Sequence, residues 1–231
     1  MKEVVFSTIL AIFSLILAGS LFGGNDDARL RAEDFKAVVR IACVGDSITY
    51  GLELENRETN SYPAVLGRLL GPKFETRNFG VDGATLMKKG DHPYWKQPLF
   101  KAVDDYQPNA VLIKLGTNDS KPQNWKYGKY FEQDLDALID HFRALASKPG
   151  IWLCYPAPVF ESRWGVNKEV VRDEIMPRIK KLATEKGIPT IDLYSALKEH
   201  PEFFPDKIHP NAAGARLIAQ TVYSALTGKE P

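Results

Sequence analysis

Cysteine is scarce: the 231 residues include two, Cys43 and Cys154. Two thiols cannot build the disulfide framework that staples small secreted domains. Charge of one sign is lacking as well, since 30 Lys and Arg stand against 29 Asp and Glu, a formal net charge of +1. No basic arm, arginine-rich stripe or zinc-finger spacing occurs, so neither nucleic acid nor an anionic membrane is an expected partner. Internal repeats and low-complexity tracts are absent, and no Gly-x-Ser-x-Gly elbow is found. What remains is an ordinary globular composition, 44% hydrophobic and 26% charged, with length for one domain, or for one domain plus a small appendage.

The N-terminus differs from the rest. Val4 to Ala18 is apolar except for Ser7, Thr8 and Ser14, with Lys2 before it. This run is too short for a comfortable membrane span, and Ala18-Gly19-Ser20 puts small residues at −3 and −1 of a cleavage site. The pattern predicts a signal peptide over 1–20 and a secreted or periplasmic protein, with an uncleaved anchor as the alternative. A polar linker or short helix is expected over 21–37, and the functional domain over 38–231. No stable membrane partner is expected once the signal is cleaved.

Beyond that point strands and helices alternate. Val38 to Val44, Phe74 to Asn78, Ala110 to Leu115, Ile151 to Tyr155 and Pro189 to Asp192 read as five strands, mostly short apolar runs. Between them, helices are predicted from Ser61 as N-cap through Leu70, from Leu99 to Tyr106, and around Phe131 to Leu145. A helix from Val170 to Lys186 should be kinked by Pro177, and the last, Ala212 to Leu226, is capped by Asn211. This alternation predicts an α/β fold with a parallel sheet covered by helices on both faces. Ligands of such sheets bind beyond the carboxyl ends of the strands.

The chemistry-bearing residues stand at those ends. Gly45-Asp46-Ser47 follows the first strand, Asn78-Phe79-Gly80-Val81-Asp82-Gly83 the second, and Gly116-Thr117-Asn118-Asp119 the third; Asp206-Lys207-Ile208-His209 precedes the last helix. A serine hydroxyl becomes a useful nucleophile when a base takes its proton, and a histidine held by a carboxylate is such a base. Asp206 lies three residues before His209, within one turn. Any one tripeptide arises by chance in about 3% of chains this long; four blocks in order, three at strand ends and one before the last helix, are far more specific. Asp46 and Asp119 read as loop braces, and His92, His141 and His200 as structural or solvent-exposed. Asp206 and His209 give two ligands where catalytic zinc takes three, so no metal and no cofactor is expected.

These blocks resemble those of the SGNH (GDSL-like) hydrolases, over about Arg40 to Leu226. The resemblance implies a flavodoxin-like three-layer sandwich with a five-stranded sheet in the order 2-1-3-4-5. It also implies a serine esterase with Ser47, Asp206 and His209 as catalytic residues. An oxyanion hole would be formed by the backbone N–H groups of Ser47 and Gly80 and the Asn118 side chain. In that strand order Cys43 and Cys154 lie two strands apart, about 9–10 Å, beyond the roughly 7 Å Cα limit for a disulfide, so two buried thiols are expected.

The segments around Asn60-Ser61-Tyr62-Pro63, Lys89-Gly90-Asp91 and Ser120-Lys121-Pro122 further resemble a bacterial sialate O-acetylesterase-like subgroup. That resemblance points to removal of acetyl groups from carbohydrate, and Trp95, Trp125 and Trp164 in rim loops are candidate platforms for a sugar ring. A lysophospholipase, thioesterase or arylesterase on the same fold is the alternative within enzymes. Outside enzymes stands a glycan-binding protein with a dead site, which a missing Ser or His would signal; both are present.

Overall fold

The computed structural model describes residues 29–231. The expected signal peptide lies outside the described residues, and of the expected linker the described part contributes one 3-10 turn, Ala32–Asp34.

Five strands carry the fold: β1 (Val39–Gly45), β2 (Phe74–Gly80), β3 (Ala110–Lys114), β4 (Gly150–Cys154) and β5 (Thr190–Ile191). All pair in parallel, in the order β2-β1-β3-β4-β5. The largely apolar sequences of β1, β3 and β4 follow from burial on both faces, whereas β2, at the sheet edge, carries Glu75, Thr76, Arg77 and Asn78 and is only partly buried. On one face Ala42, Val44, Val111, Ile113, Ile151 and Leu153 pack against three helices. These are α4 (Pro98–Tyr106), α6 (Phe131–Arg143) and α8 (Met176–Lys186). On the other face Ile41, Cys43, Leu112, Trp152 and Ile191 meet α3 (Tyr62–Leu70), α9 (Leu193–Leu197) and α10 (Ala212–Thr227). Shorter helices fill the loops: α1 (Ser47–Tyr50), α2 (Arg57–Asn60), α5 (Pro122–Trp125) and α7 (Lys168–Val170). The expected three-layer α/β sandwich and its strand order are what the structure shows.

Local chemistry explains most boundaries. Asn211 caps α10 as expected, its Oδ1 accepting from Ala213 N and Gly214 N. Ser61 holds the N-cap position of α3 without a side-chain cap bond; Pro63, which has no N–H, leaves the first turn one fewer unpaired donor. Pro177 does not simply kink one helix. A π-helical turn, Val171–Ile175, precedes it, between α7 and α8. The wider turn makes room for a ring that would meet the carbonyl four residues back, and for the missing N–H.

Candidate active site

The carboxyl ends of β1, β2 and β3 deliver three loops to one end of the sheet, and a fourth loop comes from the segment before α10. β1 ends at Gly45, and Asp46 then caps α1 by accepting the Ile48 N–H at 3.0 Å. Ser47 is thereby the first residue of α1, not its cap, and its own N–H has no hydrogen-bond partner among the described residues. Gly45 is required for this tight exit: a Cβ there would lie 2.0 Å from Thr49 Oγ1 and 2.8 Å from the Lys114 carbonyl.

His209 is placed by Asp206 in a compact turn. Asp206 Oδ1 accepts from the backbone N–H of Ile208 (2.8 Å) and of His209 (2.6 Å), while Oδ2 lies 2.6 Å from His209 Nδ1. The turn passes through Lys207 with φ +75, and the Lys207 carbonyl accepts the Phe160 N–H from the loop after β4. Burial raises the Asp206 carboxyl, but the N–H groups of His209 and Ile208 and the imidazole outweigh it, so the carboxyl is held below its ordinary value. It is therefore an ionised acceptor near neutral pH, which assigns the proton of His209 to Nδ1. His209 Nε2 is left as an acceptor, and Ser47 Oγ lies 2.9 Å from it. Both Ser47 and His209 are buried. The three residues expected to act together thus form one continuous chain from Ser47 Oγ to the Asp206 carboxylate.

The loop after β3 brings Asn118. One proton of its amide goes to the Ala84 carbonyl at 3.2 Å, and the second has no partner among the described residues. Asp119 braces, as expected: its carboxylate accepts the N–H groups of Leu86 and Met87, each at 2.8 Å.

Gly80 departs from expectation. Its N–H is donated to Asn78 Oδ1 at 2.9 Å and so is committed within β2. A Cβ at Gly80 would lie 2.2 Å from Tyr50 N and 2.6 Å from Thr49 C, so close packing under α1 accounts for the glycine. Gly80 also lines a cleft of about 570 Å³ with Tyr50, Arg57, Ser61 and Leu99, a lining that includes neither Ser47 nor His209. Gly83 has the properties expected of Gly80: a left-handed φ of +72, no side chain, and an N–H with no partner among the described residues. The Ala84 carbonyl that Asn118 contacts is one residue away from it.

The three tryptophans separate. Trp95 donates its indole N–H to the Leu86 carbonyl, packs on Phe100, and has Lys88 Nζ 4.1 Å above its ring. Trp125 donates to Glu174 Oε2, packs on Phe131, and closes over Gly128. Each is held by these contacts and is half-buried. Trp164 is 60% exposed, and its ring centroid lies 6.0 Å from that of His209. The turn that presents it is left-handed at Trp164 (φ +50) and at Gly165 (φ +82).

Sequence reasoning missed Lys114. Inside an apolar strand its ammonium is fully buried, 2.9 Å and 3.0 Å from the two carboxylate oxygens of Asp46. A lone lysine in a strand otherwise composed of apolar residues was the available signal, since an unpaired ammonium is not buried.

Comparisons with known proteins bear on this arrangement. Over 206 residues the chain is 38% identical to an acetylxylan esterase of Xylanibacter ruminicola, a match covering 81% of this chain and 43% of that protein. The chain thus spans less than half the length of that relative. It is 23% identical over 215 residues to the rhamnogalacturonan acetylesterase RhgT of Bacillus subtilis, covering 81% of this chain and 89% of that protein. The structure of a carbohydrate acetylesterase family member from Sinorhizobium meliloti superposes with a TM-score of 0.66 at 21% identity, over 83% of this chain and 100% of that one, a likeness of fold. The GDSL-like lipase/acylhydrolase family model matches residues 43–217, from within β1 into α10 and across every loop that builds the site, and the chain belongs to that family.

Proposed function

We propose that this protein is a serine esterase that removes acetyl or similarly short acyl groups from carbohydrate. The observation that carries the reading is the chain Ser47 Oγ, His209 Nε2, His209 Nδ1 and Asp206 Oδ2, joined at 2.9 Å and 2.6 Å. In the reaction, Ser47 Oγ attacks the acyl carbonyl carbon while His209 Nε2 takes the hydroxyl proton. The carbonyl π electrons move to oxygen. When the oxyanion collapses, the ester C–O bond breaks and the leaving alcohol takes the proton from His209. Water, deprotonated by His209, then releases the carboxylic acid and restores Ser47. Asp206 stays ionised throughout and stabilises the imidazolium.

The oxyanion needs preorganised donors. The Ser47 N–H, the second Asn118 amide proton and, in the place expected for Gly80, the Gly83 N–H are the donors available for it. Support for a sugar substrate comes from Trp164, the exposed indole beside His209, and from the names of the two curated relatives. A left-handed turn at a residue bearing a Cβ costs about 1 kcal/mol, and here it leaves an apolar ring in solvent. A sugar face stacking on that ring would give the exposure a purpose.

Hydrolysis of nitrophenyl acetate through octanoate, together with acetate release from acetylated xylan, tests the reading. A fatty-acyl site would gain about 0.8 kcal/mol per methylene bound, whereas kcat/KM is expected to fall beyond propionyl. Ser47→Ala should leave less than a hundredth of kcat, on the order of the least a lost nucleophile costs. Rates that rise with chain length would overturn the short-acyl reading, and an active Ser47→Ala variant would overturn the mechanism. The apolar run at the N-terminus further supports export, which fractionation and N-terminal sequencing would test: protein in the medium or periplasm starting near residue 21 is expected, and protein confined to the cytoplasm and starting at Met1 would refute it.

A further inference from the structure

Lys114 and Asp46 are both fully buried, and the ammonium spans three oxygens: Asp46 Oδ1 at 2.9 Å, Asp46 Oδ2 at 3.0 Å and Thr117 Oγ1 at 3.3 Å. Stability alone gives such a pair little reason to exist. Taking two ions out of water costs several kcal/mol each, and apolar replacements of similar volume are often neutral or stabilising. Every other residue of β3, Ala110 to Ile113, is apolar, so the strand already supplies its share of both cores.

The three oxygens show what the pair does accomplish. Asp46 immediately precedes Ser47, and the same carboxylate that holds Lys114 caps α1 through the Ile48 N–H. Thr117 immediately precedes Asn118. One ammonium therefore ties the turn after β1 to the turn after β3, each one residue before a group assigned to the reaction. Gly45 and Lys114 are also direct partners across the β1–β3 ladder. The charge matters because an ammonium can bind the carboxylate with two protons while offering a third to a hydroxyl, which no neutral side chain of that length does.

We infer that Lys114 is a positioning residue, whose buried ammonium sets the Ser47 turn against the Asn118 turn so that donors from two strands converge on one oxyanion. This rests on the esterase reading above. It assigns Lys114 no contact with substrate and no proton transfer. Its effect should fall on kcat, because the oxyanion exists only beyond the ground state, and leave KM nearly unchanged.

The test uses the full chain and nitrophenyl acetate. Wild type and Ser47→Ala are measured first, so that a failure of the esterase reading shows itself separately as an inactive wild type or an active Ser47→Ala. The informative variant is the double substitution Asp46→Asn with Lys114→Met, which buries no unpaired charge and retains an oxygen to accept the Ile48 N–H. It should melt within a few degrees of wild type, with kcat lowered about 10- to 100-fold, the scale of a misplaced group, and KM within about twofold. Asn118→Ala is then added to both backgrounds. If Lys114 acts by aiming the Asn118 donor, that substitution should cost about tenfold less in the double variant than in wild type, since residues that act as a unit are not additive. A double variant with wild-type kcat overturns the inference, as does an undiminished Asn118→Ala cost. Should the double variant not fold, Thr117→Val decides: it removes one bond and leaves the ion pair. A severalfold lower kcat at unchanged KM is expected, and wild-type kcat overturns the proposal.

Discussion

Asn118 and Asp119 are neighbours with opposite duties, and each duty can be separated by substitution. Asn118 donates one amide proton to the Ala84 carbonyl, and in the proposed mechanism the other meets the oxyanion. Removing one such donor costs about 10²–10³ in kcat, so Asn118→Ala should lose that factor with KM little changed; a normal kcat with raised KM would move the residue to substrate binding. Asp119 contributes through the fold. Burial pushes its carboxyl up to about 7, against the pull of the Met87 and Leu86 N–H groups. Its value in the unfolded chain is about 3.9. As pH rises between those values the unfolded chain loses the proton first, so this one group subtracts stability across about pH 4 to 7. Asp119→Asn removes the titration and also one acceptor for a buried N–H. The melting-temperature advantage of wild type over Asp119→Asn should therefore shrink as pH rises through that window. An advantage that grows with pH would show that the two N–H bonds favour the ionised form.

At the scale of elements, β2 and α1 approach each other through Gly80. A Cβ there would strike backbone, Tyr50 N at 2.2 Å, and backbone cannot swing aside as a flexible side chain can. Gly80→Ala should cost about 1–3 kcal/mol, as overpacking does, and should displace the α1 that carries Ser47; melting and kcat are expected to fall together. A stable, fully active Gly80→Ala would show that the packing yields. This contact also marks where the sequence stops being legible. Five strands, the major helices and the Ser47–His209–Asp206 set could be read from apolar runs, caps and motif blocks, whereas the strand order followed only from the family those blocks resemble. What could not be read is which of two glycines, Gly80 or Gly83, turns its N–H outward. Peptide orientation depends on the Asn78 side chain and on α1, neither of which spacing encodes. Nor does spacing reveal how Pro177 is absorbed, since a kink and a π-helical turn satisfy the same missing N–H. Motif readings miss Lys114 for a related reason, because its partner Asp46 is 68 residues distant in sequence. Trp95 and Trp125 look like Trp164 in sequence; their partners Leu86, Glu174 and Gly128 set them apart. Trp125→Ala should accordingly lower stability by about 2 kcal/mol or more, while Trp164→Ala should leave melting unchanged and reduce acetate release from acetylated xylan far more than nitrophenyl acetate hydrolysis. Equal losses on both substrates would remove the platform role.

The whole molecule decides the fate of its two thiols. Cys43 lies on β1 and Cys154 on β4, and β3 runs between those strands. Two strand spacings of about 4.8 Å put the backbones beyond the reach of a disulfide. Both side chains sit on the same face of the sheet, in the core shared with α3 and α10, and both thiols are free and buried. Burial pushes the Cys154 thiol up to about 12 and Cys43 higher still, so neither supplies thiolate to a reagent or an oxidant at neutral pH. An oxidising compartment then poses no hazard to the native fold, because a pair forms only if β1 or β4 leaves the sheet. Thiol reagent added to the native protein should find no reactive cysteine over minutes. The same reagent in denaturant, without reductant, should find two. Finding none in denaturant, with a mass two hydrogens short, would mean that the chain can fold with Cys43 and Cys154 joined. Neither the parallel order β2-β1-β3-β4-β5 nor the placement of Ser47 and Asn118 on adjacent strand ends would survive that result.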